Sequence, residues 1–160
     1  IVFKTPSDNR TDYIKRLIGL PGDQIQIIDG ELFINEKKIM IKKSKISSEV
    51  YCAMNKIEVV NSEEKLPNNK TYVAAYNKVG SMVKTDPYIV PEKHYFFLGD
   101  NRDCSQDSRF LSGVGYVHEN NLVGKAQIIF FSNDTLKGSV FKFWNWKKSI
   151  RPDRFFKVLK

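Results

Sequence analysis

The chain has 160 residues, of which 41% are hydrophobic and 28% charged, and it carries a net charge of +8. That length suffices for one ordinary core, or one core plus a small inserted lobe; no apolar run approaches the ~20 residues needed to span a bilayer, and the N-terminal stretch is not a signal peptide. Cys52, Cys104, His94 and His118 offer no zinc spacing and too few thiols for a disulfide framework, so no metal, no cofactor and no bridge between the two cysteines are expected.

In chain order, Ile1-Val2-Phe3 reads as the end of a strand and Thr5-Pro6-Ser7-Asp8-Asn9 as turn chemistry. The first residue is Ile rather than Met, so an upstream segment, targeting or anchoring, is expected to have been removed. Residues 12–18 read as a strand ended by Gly19-Leu20-Pro21-Gly22-Asp23, in which Pro21-Gly22 suits the two central positions of a type II turn. Alternation then puts Tyr13, Lys15 and Leu17 on one face and Ile14, Arg16 and Ile18 on the other. Each face is apolar apart from one central cation, whereas a half-exposed strand gathers its charges on one side. Two readings of Lys15 stand. Either its stem packs while the ammonium snorkels to water, or the amine is kept dry, and desolvation lowers its pKa enough for it to serve as a general base.

Asp29-Gly30, between Ile25-Gln26-Ile27-Ile28 and Leu32-Phe33-Ile34, is a hairpin signal. Residues 36–86 are richer in Lys, Asn, Ser and Glu, with shorter apolar clusters such as Ile57-Glu58-Val59-Val60 and Tyr72-Val73-Ala74-Ala75-Tyr76; they read as a smaller inserted β lobe. The main core, residues 1–35 and 87–160, resumes through a buried strand over 94–98. Gly113-Val114-Gly115 reads as a turn, and residues 123–131 as a further core strand. The fold class is mostly β: an antiparallel β-sheet core with the inserted β lobe.

Between these last strands lies Gly99-Asp100-Asn101-Arg102-Asp103-Cys104-Ser105-Gln106-Asp107-Ser108-Arg109, with three aspartates and two arginines in eleven residues. An exposed loop is one reading. A calcium loop fails, since counting from Asp103 puts Ser108 where the glycine belongs and Val114 where the bidentate glutamate belongs. A half-buried loop accounts for the mixture, because each carboxylate and guanidinium then needs a partner. Of the six arginines in the chain, Arg16, Arg102 and Arg109 fall in this stretch or the Lys15 strand, where a planar fork suits bidentate pairing.

Residues 137–160 supply seven of the eight net charges, from Lys137, Lys142, Lys147, Lys148, Arg151, Arg154, Lys157 and Lys160 against Asp153 alone. Phe141, Phe143, Trp144, Trp146, Phe155 and Phe156 lie among them. The tail is either a last element packed on the core or an aromatic-basic surface for a membrane interface or a polyanion.

Two boxes, Asp12-Tyr13-Ile14-Lys15-Arg16-x-Ile18-Gly19-x-Pro21-Gly22-Asp23 and Gly99-Asp100-Asn101-Arg102-Asp103-x-Ser105-x-Asp107-Ser108-Arg109, resemble signature boxes of the bacterial type I signal peptidases. Ile1-Val2-Phe3-Lys4-x-Pro6 resembles the end of a third, and Val123-Gly124-Lys125-Ala126 fits as well. The resemblance covers residues 1–24 and about 90–132. It implies a serine endopeptidase that uses a Ser–Lys dyad, without metal or histidine, to cut signal peptides from exported preproteins after small residues of the Ala-x-Ala type. It implies Lys15 as general base and Ser105 as the hydroxyl that orients it. Asp107 and Arg109 would form a supporting ion pair, with Arg16, Asp100, Arg102 and Asp103 holding the loop. Val2, Asp12, Tyr13 and Ile14 would lie beside an extended substrate. The implied partners are signal peptides and a membrane surface, with no nucleic acid. The implied place is the outer face of the bacterial cytoplasmic membrane.

The family's nucleophilic serine lies in a Ser-Met-x-Pro box upstream of the lysine. Only 14 residues precede Lys15, and none forms that box. Ser81-Met82 is followed by Val83-Lys84 and comes after Lys15, and Cys104 stands where the family often has Asn. The expectation is a fragment with the base and its support but no nucleophile, unable to turn over substrate alone. Rival readings are another Ser–Lys peptidase, such as a pilin-processing relative or a self-cleaving repressor, and a non-catalytic basic module acting through residues 137–160.

Overall fold

A computed structural model describes residues 1–53, 55–80, 83–133, 144 and 146–159, with Lys45, Ile46, Lys147 and Lys148 described by backbone alone. Ser81-Met82 and, in the tail, Lys137, Phe141, Lys142, Phe143 and Lys160 lie outside the described residues. The chain divides into two compact units, Ile1–Gly124 and Lys125–Lys160.

The strands of the first unit pair antiparallel, as expected. Its strands in order are β1 (Val2–Lys4), β2 (Asp12–Ile14), β3 (Arg16–Gly19), β4 (Gln24–Ile28), β5 (Glu31–Ile34), β6 (Lys37–Lys38), β7 (Met40–Cys52), β8 (Asn55–Lys65), β9 (Thr71–Asn77), β10 (Tyr88–Ile89), β11 (His94–Leu98), β12 (Val117–His118) and β13 (Leu122–Gly124). They form four sheets, β13-β1-β2, β12-β11-β3, β10-β4-β5-β6 and β7-β8-β9.

Strand β11 is apolar on both faces because each face meets a different core. Phe96 and Leu98 enter a cluster with Ile18, Ile25, Leu32, Ile34, Tyr72 and Ala74, while Phe97 faces Phe3, Val114 and Val117 with Tyr95 beside it. This is the period-2 alternation of a strand read onto two cores. The hairpin signal is met: β4 and β5 pair Ile28 with Glu31, and Asp29 (φ 53°) and Gly30 (φ 77°) both take the positive φ of a type I′ turn. Gly22 (φ 87°) sits in a turn closed by the Asp23 N–H donating to the Leu20 carbonyl.

Three expectations need correction. Residues 12–18 are not one strand: the chain leaves β2, which pairs with β1, and enters β3, which pairs with β11, and Lys15 is the residue between. The face assignment survives the break, since Tyr13 and Leu17 both pack on the Phe3–Phe97 cluster while Ile18 enters the other. Residues 123–131 are not one core strand either. β13, paired with β1, ends at Gly124 with Val123 exposed, and the next strand begins only at Ile128. Finally, Cys52 and Cys104 are joined. The end of β7 brings Cys52 to the loop after β11, with the Cα atoms 5.5 Å apart, inside the range a bridge requires.

The second unit, described by itself, pairs β14 (Ile128–Ile129) with β15 (Lys157–Val158) and holds the short helix α1 (Trp146–Ser149). The Phe131 and Phe155 rings meet at a tilt within it, 5.4 Å between centroids, and Phe130, Phe131, Trp144 and Phe156 are exposed. Among the described residues, no helix is long and apolar enough to cross a membrane.

Candidate functional site

The break between β2 and β3 decides where Lys15 points. Its backbone N–H donates to the Ile1 carbonyl at 3.1 Å, as the β1–β2 ladder ends. Its side chain passes the Tyr13 ring, 5.3 Å from the centroid, and the half-buried Nζ donates to Ser105 Oγ at 2.7 Å. Burial pushes the Lys15 ammonium below the ordinary lysine value, and Arg109 pushes the same way, against the opposing pull of the Asp107 and Asp100 carboxylates.

Ser105 reaches Lys15 because the loop folds back over the end of β11. The pivot is Gly99: a Cβ there would lie 2.0 Å from Ser105 Oγ, 2.3 Å from Ser105 Cβ and 3.6 Å from Lys15 Nζ. Close approach, not backbone conformation, excludes a side chain at this position, since Gly99 is not among the glycines with positive φ. Fully buried Asp107 accepts from the Gly99 N–H at 2.9 Å and is gripped by Arg109 through Nε (2.7 Å) and Nη2 (2.8 Å). Arg109 also donates to the Arg102 carbonyl. Ser108 accepts from the Phe97 N–H at 2.9 Å and returns its own N–H to the Phe97 carbonyl, so β11 and the returning loop are tied twice.

The remaining charges bind the loop outward. Arg16, stacked 4.0 Å over the Tyr72 ring, makes a two-pronged pair with Asp100 at 2.7 and 2.9 Å. Buried Arg102 donates to Glu64 (2.8 Å), Tyr72 Oη (2.8 Å) and Tyr76 Oη (3.1 Å), and both phenols donate to Glu64. Burial alone would disfavour the Arg102 charge, but the oxygens of Tyr72, Glu64 and Tyr76 outweigh it and hold the guanidinium above its usual value. Burial likewise raises Tyr72 and Tyr76, with Glu64 adding to it, so both stay protonated donors. Asp103 accepts from the Asn77 N–H at 2.7 Å, and Asn101 runs parallel to Ala75 as a bridge onto the edge of β9.

Sequence reasoning missed Glu64, Tyr72, Tyr76, Asn77 and Cys52, all from the segment of residues 36–86. The alternation of Tyr72, Ala74 and Tyr76 was a visible signal for one buried face. Glu64, inside Asn61-Ser62-Glu63-Glu64-Lys65, carries no local signal of its burial.

The residues expected beside a substrate lie together near Lys15. Val2 pairs with Ile14, Phe3 with Tyr13 and Lys4 with Asp12, and Asp12 also meets the Lys4 ammonium at 3.2 Å. β2 is the last strand of its sheet, so among the described residues its outer edge is unpaired, and Ile14 is 58% exposed. On the other side of the dyad, Ser105 lines a shallow cavity of about 260 Å³ with Thr85, Tyr88, Asp103, Arg109 and Phe110. Among the described residues, no group of three or more His, Cys, Asp or Glu could hold a metal ion. The arrangement presents an amine with a lowered proton affinity, a hydroxyl that fixes its direction, and a strand edge that can take an extended peptide.

Residues 1–131 match the family described as signal peptidase, peptidase S26. The signal peptidase I of Rickettsia typhi is 40% identical over 99% of this chain and 64% of its own, and that of Rickettsia conorii is 41% identical over 99% and 63%. The signal peptidase I of Rickettsia bellii is 38% identical over 99% of this chain and 58% of its own. The chain thus spans somewhat less than two thirds of the length of these relatives. A crystal structure of a signal peptidase I from Enterococcus faecalis is 30% identical, covers 79% of this chain and 91% of its own, and superposes with a TM-score of 0.43.

Proposed function

The chain belongs to the signal peptidase family, peptidase S26, and on that premise we propose that it is the catalytic part of a signal peptidase I in which Lys15 is the general base. One observation carries the reading: a half-buried amine 2.7 Å from a hydroxyl, with burial already lowering its hold on a proton. In the proposed reaction, neutral Lys15 takes the proton of a serine hydroxyl as that oxygen bonds to the scissile carbonyl carbon. The protonated Lys15 then gives the proton to the departing amine as the C–N bond breaks. Water, deprotonated by the same amine, then bonds to the acyl carbon; the ester C–O bond breaks, the amine returns that proton to the serine oxygen, and the carboxylic product leaves. Ser105 is not the nucleophile in this scheme: it orients the Lys15 lone pair. The Ser-Met-x-Pro box of the resemblance has no counterpart in residues 1–160, and we assign the nucleophile to the whole protein.

The substrate is a preprotein whose cleavage site, of the Ala-x-Ala type, lies extended along β2. Support comes from the unpaired edge of that strand, where backbone bonds supply affinity and alternate side chains supply choice. Asp107 and Arg109 serve as the supporting ion pair, with Arg16, Asp100, Arg102 and Asp103 holding the loop. We place the catalytic part at the outer face of the cytoplasmic membrane, anchored there by the whole protein. The Cys52–Cys104 bridge supports an oxidising compartment.

The test is cleavage of an Ala-x-Ala preprotein by the whole protein. Lys15→Ala and Lys15→Arg abolish product, and Ser105→Ala lowers kcat more than it changes KM. Undiminished cleavage by Lys15→Ala overturns the assignment.

A further inference from the structure

The bridge between Cys52 and Cys104 stands one peptide bond from Ser105, and we propose that it is a positioning element of the Lys15–Ser105 pair: it seats the Ser105 hydroxyl on Lys15, and opening it unseats them. This rests on the dyad reading above and goes beyond it.

Consider what holds each part of the loop. Upstream, the Arg102 N–H donates to the Ala75 carbonyl at 2.9 Å and Asp103 accepts from Asn77 at 2.7 Å. Downstream, Asp107 and Ser108 are buried and multiply bonded. Between them, residues 104–106 have weak ties among the described residues. The Cys104 N–H reaches the Asn101 carbonyl at 3.4 Å, and Arg109 reaches the Ser105 carbonyl at 3.5 Å, both at the long limit for such bonds. The covalent link to Cys52 is therefore the strongest restraint on this stretch apart from the Lys15–Ser105 contact itself. Its other end is anchored. Cys52 pairs with Asn55 at the end of the β7–β8 ladder, and from Val59 to Lys65 β8 also pairs with β9, the strand that receives Asn101. The hairpin acts as a strut, rooted in the sheet that clamps Asn101 to Asp103 and bonded at its tip to the residue before Ser105.

Ser105 has somewhere to go when the strut lets go, because it lines the cavity of about 260 Å³ beside Thr85, Tyr88 and Phe110. Both cysteines are half-buried, so a small dithiol reaches them. The exchange balances: the dithiol gives up two electrons and two protons and closes to its own disulfide, while the Cys52–Cys104 S–S bond breaks and leaves two thiols. With Ser105 turned away, water enters beside Lys15 and the ammonium form is favoured. The charged and aromatic groups facing that amine are Tyr13 from β2 and Asp100, Asp107 and Arg109 from the loop, and all remain after reduction. The consequence is a base that is ready in an oxidising compartment and blunted in a reducing one.

The test reads Lys15 directly. The 1–160 chain is labelled with limiting acetic anhydride over a pH series, and acetylation of the Lys15 peptide is followed by mass spectrometry. Four samples are compared: bridged, reduced with dithiothreitol, re-oxidised, and Cys52→Ser. In the bridged protein Lys15 titrates below the other lysines. On reduction its labelling rate at about pH 8 falls by about tenfold as the midpoint rises; re-oxidation restores it, and Cys52→Ser behaves as the reduced form. An unchanged Lys15 midpoint on reduction overturns the proposal and leaves the dyad reading standing. An ordinary lysine midpoint in the bridged protein overturns both. Two free thiols in protein recovered from oxidising conditions also overturn the proposal. Reversibility on one polypeptide keeps the result independent of whether Cys52→Ser folds.

Discussion

Gly99→Ala separates a packing requirement from a backbone one. The added methyl carbon falls 2.0 Å from Ser105 Oγ and 2.3 Å from Ser105 Cβ, well inside contact distance, while the next neighbour, Lys15 Nζ, is at an ordinary 3.6 Å. Backbone strain does not enter, because Gly99 is not in the positive-φ region. The neighbour that must yield is Ser105, and its displacement breaks the 2.7 Å contact with Lys15. Overpacking of this kind costs about 1–3 kcal/mol. In a Ser105→Gly background both overlapping atoms are gone, and Gly99→Ala becomes neutral or stabilising by up to about 1 kcal/mol, since alanine restricts the unfolded chain more than glycine does. The assay is urea unfolding of the parent, the two single variants and the double variant, read as a cycle. Additivity within about 0.5 kcal/mol would show that the methyl is not opposed by Ser105, and the reasoning about the pivot would be wrong. In the whole protein, Gly99→Ala is also expected to lower kcat as far as Ser105→Ala does.

Two further perturbations have determined signs. The folded chain holds Lys15 below its ordinary value, so between the folded value and the unfolded one, about 10.4, the unfolded chain binds more protons and this group's contribution to stability rises with pH. Below the folded value its penalty is full and constant. Lys15→Met removes that penalty, so the stability of the variant relative to the parent is greatest near neutrality and declines as pH climbs through the window; a pH-independent difference in urea midpoints refutes this. By the same sign, cleavage by the whole protein rises with pH as Lys15 deprotonates. Glu64→Gln leaves the buried Arg102 charge without its carboxylate and costs about 3–5 kcal/mol, whereas Glu64→Met with Arg102→Met, made together with Tyr72→Phe and Tyr76→Phe so that no phenol is stranded, costs much less, because replacing a whole buried polar group by apolar residues is often neutral. Equal losses in the single and quadruple variants by thermal or urea unfolding count against the pairing.

What could be read in advance divides along one physical line. β11 and the β4–β5 hairpin were legible because their signals are local: a run apolar on both faces, and Asp29-Gly30 with the φ values that pair accepts. The Asp107–Arg109 pair was expected only through the family resemblance of its box. The Lys15 strand was legible in its faces but not in its break, since alternation continues across residue 15 while hydrogen bonding changes partner from β1 to β11. Residue types announced that Arg102, set among aspartates, would need an acceptor. Nothing local said that it comes from Glu64, whose neighbours Glu63 and Lys65 give it the look of a solvated edge.

That failure has a consequence for how the site is divided along the chain. Arg102 reaches Glu64, Tyr72 and Tyr76; Asp103 reaches Asn77; Cys104 reaches Cys52. Three successive residues of the box are thus completed by three places in residues 36–86. A buried guanidinium tolerates loss of its carboxylate poorly, so the loop depends on Glu64 and on the two phenols that share it. Exchanging residues 40–77 for a strand set lacking a carboxylate at position 64 is therefore expected to unfold the loop, although neither Lys15 nor Ser105 has been touched. Exchanging them for a set that keeps Glu64, Tyr72 and Tyr76 spares it. Loop order, followed by hydrogen exchange of the Gly99 and Ser108 amides, distinguishes the two, and equal protection in both exchanges would show that the box holds its shape unaided.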